Sequence, residues 1–215
     1  MQQETLKNLP IRVEPVPEDM IWTDESPKAQ AGQAEMPDVE VLLAIDLSGS
    51  MSGNPIMKAQ EAMINFVDQM DSRFIKVGIA AFADNTKCIL SPTDNFKAVK
   101  KAISTLNSVD VGWGNDAEPF TISRSILKRG EVRYVVVLTD GRWSNQTEAI
   151  AAASRCHKNG VEIMALGFGT ADQKFLTDVA SIKEFASLTS LAELSSSFSK
   201  IAQAIGEDAG NLKIR

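Results

Sequence analysis

Asp46, Ser48 and Ser50 stand at alternate positions of one short stretch, Asp46-Leu47-Ser48-Gly49-Ser50. A carboxylate and two hydroxyls are hard oxygen donors, and such donors suit Mg²⁺, which takes one or two carboxylates and keeps several waters. Gly49 lets the chain turn tightly enough for the three side chains to converge. The stretch follows directly on Val41-Leu42-Leu43-Ala44-Ile45, and such an apolar run reads as a strand buried on both faces inside a parallel sheet. A metal site at the carboxyl end of that strand is therefore expected. Capping a helix would need only one such side chain.

Two further segments point to the same place. Val135-Val136-Val137-Leu138-Thr139-Asp140-Gly141 repeats the design, with an apolar strand, an acid and a turning glycine. Between the two lies Gly112-Trp113-Gly114-Asn115-Asp116-Ala117-Glu118-Pro119, a glycine-spaced acidic loop ahead of a helical stretch. Open α/β sheets bind ligands outside the carboxyl ends of their strands. Three oxygen-bearing loops in one such domain would face one another there.

In this order, the three motifs resemble the metal-ion-dependent adhesion site of von Willebrand factor type A domains, over roughly residues 38 to 206. An ordered set of motifs is far more specific than any one of them. The resemblance implies that Asp46, Ser48 and Ser50 are first-loop ligands and that Asp140 reaches the ion through water. It implies Mg²⁺, with Mn²⁺ or Ca²⁺ as alternatives, and a protein partner that offers an acidic side chain to the ion. The second loop of the family carries a threonine, which this chain lacks. Asp116 is the best match, as in variants with an aspartate before a Pro/Glu pair, and Asn115 is a second candidate. With Asp116 the site would hold three carboxylates, binding the ion more firmly and drawing a partner acid less. Asp116 can also be read as an N-cap for the helix beginning near Glu118.

Trp113 and Trp143 fall in the loops that should surround the ion, with Arg142 beside Trp143. Tryptophan and arginine are the favoured residues of interface hot spots. The rim of the site is therefore expected to consist of Trp113, Asn115, Arg142 and Trp143, and the alternative for each ring is packing beneath its loop.

Catalytic readings are incomplete. Phosphatases of the haloacid-dehalogenase type need an acid two positions after the strand-end aspartate, and here that residue is Ser48, which cannot serve as a general acid. A receiver domain needs an early acidic pair, which the chain lacks. A serine hydrolase needs a nearby histidine, and the single histidine, His157, falls in the last turn of an expected helix. A metal-dependent phosphohydrolase and a metal-stabilised scaffold in a larger assembly remain the alternatives to a binding module.

The chain has 215 residues, of which 44% are hydrophobic, enough for one domain of moderate size with an arm. A formal charge of −6 speaks against a nucleic-acid binder, which needs a basic stripe. Cys88 and Cys156 are too few for a disulfide framework and lack metal-ligand spacing. No stretch has the length and apolarity of a membrane span, and the start lacks the charged and apolar regions of a secretory signal. A cytoplasmic location is expected.

Strands and helices must then place the three loops. Residues 1–37 hold five of the eight prolines and read as an extended arm or linker. From Asp38 the pattern alternates, as a doubly wound, mostly parallel sheet with helices on both faces requires. Strands are expected at Val39–Asp46, Phe74–Phe82, Val132–Asp140, Val161–Gly167 and Lys183–Leu188, with Thr86–Leu90 as one antiparallel edge strand. Helices are expected from Pro55 to Met70, Asn95 to Leu106 (capped by Thr93 or Asp94), Glu118 to Lys128, Thr147 to Lys158, Gln173 to Ala180 and Leu191 to Ile205. A polar tail, 207–215, would follow.

Overall fold

The computed structural model describes residues 38–211; the proline-rich segment 1–37, with Trp22, and residues 212–215 lie outside them. Six strands form one sheet in the order β3-β2-β1-β4-β5-β6. These are β1 (Val39–Asp46), β2 (Ile75–Phe82), β3 (Thr86–Thr93), β4 (Val132–Thr139), β5 (Val161–Gly167) and β6 (Ala186–Leu188). All neighbours run parallel except β2 and β3, which pair antiparallel at the edge with register shifts along the ladder. Among the described residues the α-helices are α1 (Asn54–Asp68), α2 (Phe96–Ser104), α3 (Phe120–Ile126), α4 (Gln146–Lys158), α5 (Gln173–Val179) and α6 (Leu194–Asn211).

The apolar run of β1 is buried at every position, and its alternate residues serve two different layers. Val39, Val41, Leu43 and Ile45 face the core shared with α1, α2 and α6. Leu42 and Ala44 face the core shared with α3, α4 and α5. A strand covered on both sides cannot use a polar/apolar alternation, which is why this one reads as a continuous hydrophobic run. The order of the strands reverses between β1 and β4. Their carboxyl ends therefore open onto a crevice between diverging connections, the usual ligand position in open α/β sheets.

Several boundaries differ from the sequence reading. The cap of α2 is Asn95, whose Oδ1 accepts from the amide of Ala98 at 3.2 Å, while Thr93 accepts from the amide of Asn95 itself. Only Ala186–Leu188 of the last expected strand is extended, since Lys183–Phe185 forms a 3₁₀ turn with Phe185 N–H donating to Ile182 O. The final helix runs past Ile205 to Asn211, so part of the expected polar tail is helical. Two contacts explain the extension: Ala209 is buried, and the carboxylate of Asp208 accepts from the hydroxyl of Tyr134 on β4.

Candidate metal centre

In register, Ile45 of β1 lies opposite Leu138 of β4, which sets Asp46 beside Thr139 at the carboxyl ends of the two strands. Asp46 is fully buried. Its Oδ1 accepts from the amide of Ser48 at 2.8 Å, and its Oδ2 accepts from the hydroxyl of Thr139 at 2.6 Å. Thr139 Oγ1 in turn accepts from the indole N–H of Trp143 at 3.0 Å. Asp46 is thus oriented by a chain of hydrogen bonds that starts on Trp143, distant from it in sequence. Such outer partners fix the direction in which a ligand's remaining lone pairs point.

The two serines complete the bridge to the third loop. Ser48 Oγ and Ser50 Oγ are 3.2 Å apart, and Ser50 Oγ donates to Asp140 Oδ1 at 2.7 Å. Asp140 is also buried, and its carbonyl is held from the far side by the amide of Thr170 at 2.8 Å. Burial pushes the carboxyls of both Asp46 and Asp140 above their ordinary range, against hydrogen bonds that pull each of them down. Among the described residues neither acid forms a salt bridge. Buried carboxylates are normally paired with a cation or coordinate a metal.

The second loop is placed by contacts from three sides. The amides of Asp84 and Asn85, in the turn between β2 and β3, donate to Val111 O at 3.0 and 2.9 Å. Asp84 Oδ2 accepts from the amide of Trp113 at 2.9 Å. Hydrogen bonds from the amides of Gly114 and Trp113 hold the Asp84 carboxyl below the usual range. On the opposite side Gly49 N–H donates to Trp113 O at 2.9 Å, and Ser144 N–H donates to Asn115 O at 2.9 Å. The two glycines of the loop are explained by Asp84. A Cβ on Gly112 would stand 2.3 Å from its Oδ2, and one on Gly114 would stand 2.1 Å from its Oδ1. Gly112 also has φ of +93°, outside the range open to a side chain at low cost. Gly112→Ala is therefore expected to destabilise the fold by about 1–3 kcal/mol, the usual cost of a strained backbone conformation, read from urea unfolding midpoints.

Held in this way, the loop turns Asn115 into the site. A Cβ on Gly141 would lie 3.4 Å from Asn115 Nδ2 and 4.0 Å from Ser50 Oγ. Asn115 Oδ1 is buried without a hydrogen-bond partner among the described residues. A half-turn of the amide exchanges its oxygen and nitrogen, so either end can face the same point. With its oxygen turned towards Ser50, that amide would offer a cation a neutral hard donor.

Asp116 does not share that position. It is exposed, and no cluster of three or more His, Cys, Asp or Glu side chains suited to a metal exists among the described residues. Asp46, Asp116 and Asp140 are thus not brought together as one acidic cluster. Nor does Asp116 cap α3, because Glu118 Oε2 accepts from the amides of Phe120 and Thr121 at 2.5 and 3.0 Å. The loop is pinned at Trp113, Asn115 and Ala117, and its alternation sends the residue between the last two outward.

The rim divides the same way. Trp113 is 74% exposed and Arg142 is exposed. Trp143 is 4% exposed and belongs to the core, a correction to its rim assignment. Its ring packs edge-on to Phe82 and Phe175, each with centroids 5.0 Å away, and against Phe120 at 5.9 Å. Two residues that matter here carried no role in the sequence reading. Thr139 is visible only as part of its motif, and Asp84 only as a residue between two expected strands. The Gly-x-Gly spacing signals that something presses on the backbone, but not which residue does so.

Residues 40–203 match the sequence profile of the von Willebrand factor type A domain. The chain belongs to that family. A UPF0353 protein of Mycobacterium marinum is 30% identical to this type A domain protein, over 77% of the chain and 60% of the relative. The chain thus spans about 60% of the length of the curated relative it matches. Among solved structures, proximal thread matrix protein 1 from the mussel byssus, with a zinc-occupied MIDAS motif, superposes with a TM-score of 0.70. It is 21% identical, over 79% of this chain and 46% of that one. The vWF domain of the type V pili tip protein Mfa5 from Porphyromonas gingivalis superposes with a TM-score of 0.69 at 12% identity, over 81% of this chain and 97% of that domain. At those identities the likeness is one of fold: a six-stranded, mostly parallel sheet with helices on both sides.

Proposed function

We propose that this domain is a divalent-cation-dependent protein-binding module whose ion is held by Asp46, Ser48, Ser50 and Asp140, with Asn115 in the place of the family threonine. The observation that carries this reading is the pair of buried carboxylates, Asp46 and Asp140, linked through Ser48 and Ser50 and without a cationic partner among the described residues. Mg²⁺ is the proposed ion, since the set contains only hard oxygens and few charges. A zinc-occupied MIDAS motif in the byssus protein supports a divalent ion at this position. When bound, the ion supplies an open position for a carboxylate oxygen of the partner.

The chain's own residues do the rest. Asp46 and Asp140 balance the charge of the cation, while Ser48, Ser50 and Asn115 add donors without cancelling attraction for a partner acid. Thr139 and Trp143 hold Asp46 in place, and Asp84 holds the second loop. The one histidine lies in the last turn of α4, which leads into the amino end of β5, and offers no base to the site.

Two measurements test the proposal. Capture of a partner by the immobilised domain should be lost in EDTA and restored by Mg²⁺; capture indifferent to chelator would refute cation dependence. Calorimetry should separate the two second-loop candidates. Asn115→Ala is expected to weaken Mg²⁺ binding about tenfold or more, as supporting ligands do, and Asp116→Ala to leave it within twofold. The reverse pattern would return Asp116 to the ligand set.

A further inference from the structure

Asp140 lies one residue beyond the reach of the sheet. The ladder between β4 and β5 ends at Thr139 and Gly167, and that between β1 and β4 ends at Ile45 and Leu138. Asp46, by contrast, is still paired with Phe82 on β2. Strand pairing therefore does not fix the backbone of Asp140, although a ligand must be held within a fraction of an ångström to keep its geometry. The turn that follows β5 does so instead. Phe168 N–H donates to Thr139 O at 3.1 Å, and Thr170 donates to Asp140 O twice, from its amide at 2.8 Å and from Oγ1 at 3.3 Å. Ala171 N–H closes the turn on Phe168 O at 3.1 Å.

Gly169, inside this turn, makes the seating possible. Its φ is +64°, a conformation that costs glycine nothing. A Cβ there would stand 2.8 Å from Asp140 O and 3.6 Å from Asp140 Cβ. The closer of these contacts is with backbone, so no side-chain rotation relieves it, and a side chain at 169 must push the turn and Asp140 apart. The far end of the segment is anchored. Asp172 Oδ1 caps α5 by accepting from the amides of Lys174 and Phe175 at 2.9 and 3.3 Å. The Phe175 ring packs on Trp143, whose N–H holds Thr139. One short segment thus backs both carboxylates, Asp140 directly and Asp46 through Trp143 and Thr139.

We infer that the 168–170 turn is a fourth element of the metal centre, which gives no donor but positions Asp140, with Gly169 as the positioning residue that fits the site to Mg²⁺. This inference rests on the proposed metal-dependent function. Mg²⁺ demands near-ideal octahedral geometry, whereas Ca²⁺ accepts an irregular and wider shell. A displaced Asp140 should therefore cost Mg²⁺ more than Ca²⁺.

Gly160 provides a matched control at the amino end of the same strand. Its φ is +67°, and a Cβ there would meet only the tip of the Arg133 side chain, at 3.3 Å. Gly169→Ala and Gly160→Ala carry the same backbone penalty, and only the first touches Asp140. Both are titrated with Mg²⁺ and with Ca²⁺ by calorimetry in the full chain, alongside urea unfolding. Gly169→Ala is expected to weaken Mg²⁺ binding about tenfold, as loss of an outer-shell contact does, and Ca²⁺ binding severalfold less; Gly160→Ala should leave both within twofold. Gly169→Asn, which tolerates positive φ, should regain stability but not Mg²⁺ affinity. Should the Gly169 variants fail to fold, Thr170→Val removes only the hydroxyl donor and should weaken Mg²⁺ binding about threefold, with Thr170→Ser restoring it. Unchanged Mg²⁺ affinity in Gly169→Ala, or an equal fall in Gly160→Ala, would overturn the positioning role and leave the metal reading intact. An equal loss of Mg²⁺ and Ca²⁺ would overturn it too, since general loosening of the fold has that effect. An unaltered chain that binds neither ion would overturn the metal reading and this inference together.

Discussion

Asp46→Ala is expected to abolish Mg²⁺ and Mn²⁺ binding in calorimetry while leaving the far-ultraviolet circular dichroism unchanged. The expectation follows from the position of Asp46 at the meeting point of the first and third loops, where it accepts from Ser48 N–H and from Thr139. Its burial makes the ionised carboxylate costly in the absence of a cation, so the folded chain does not need the charge for its own sake. Loss of the side chain should thus remove the ion and spare the sheet. A companion variant, Trp143→Phe, keeps an aromatic ring in the core but deletes the N–H that fixes Thr139. Mg²⁺ affinity in that variant should fall about tenfold, the low end for outer-shell partners. Unaltered Mg²⁺ affinity in Asp46→Ala would sink the assignment of the site.

The second large effect is on stability. Trp143→Ala should cost about 3–5 kcal/mol, the range for truncating a buried aromatic, because its ring fills the layer between Phe82, Phe120 and Phe175. Trp113→Ala should change stability by less than about 0.5 kcal/mol, as surface substitutions usually do, since its ring is largely in water. Guanidinium unfolding of the two variants side by side checks this. Similar midpoints for both would show that the packing around Trp143 does not carry the second core.

Two tryptophans in metal-side loops look alike as sequence, and what separates them shows how far sequence reaches here. β1 was legible because a short apolar run reads as a strand covered on both faces, and both faces are covered. The three loops were legible because each follows a strand or precedes a helix and carries its own oxygen donors. These are local signals, written within a few residues of the site they describe. The choice between Asn115 and Asp116 was not local. It depends on Asp84 pressing against Gly112 and Gly114, on Gly49 holding Trp113, and on Ser144 holding Asn115, all contacts between distant segments. Trp143 was misplaced for the same reason, since Phe82, Phe120 and Phe175 come from three other elements and meet it only once the sheet is formed. The sequence by itself determined the family, the strand order's parallel character and which loops face the crevice. The tertiary structure alone decided which side chain of a loop turns inward, because that direction is set by hydrogen bonds and packing across the fold and not by the residues on either side.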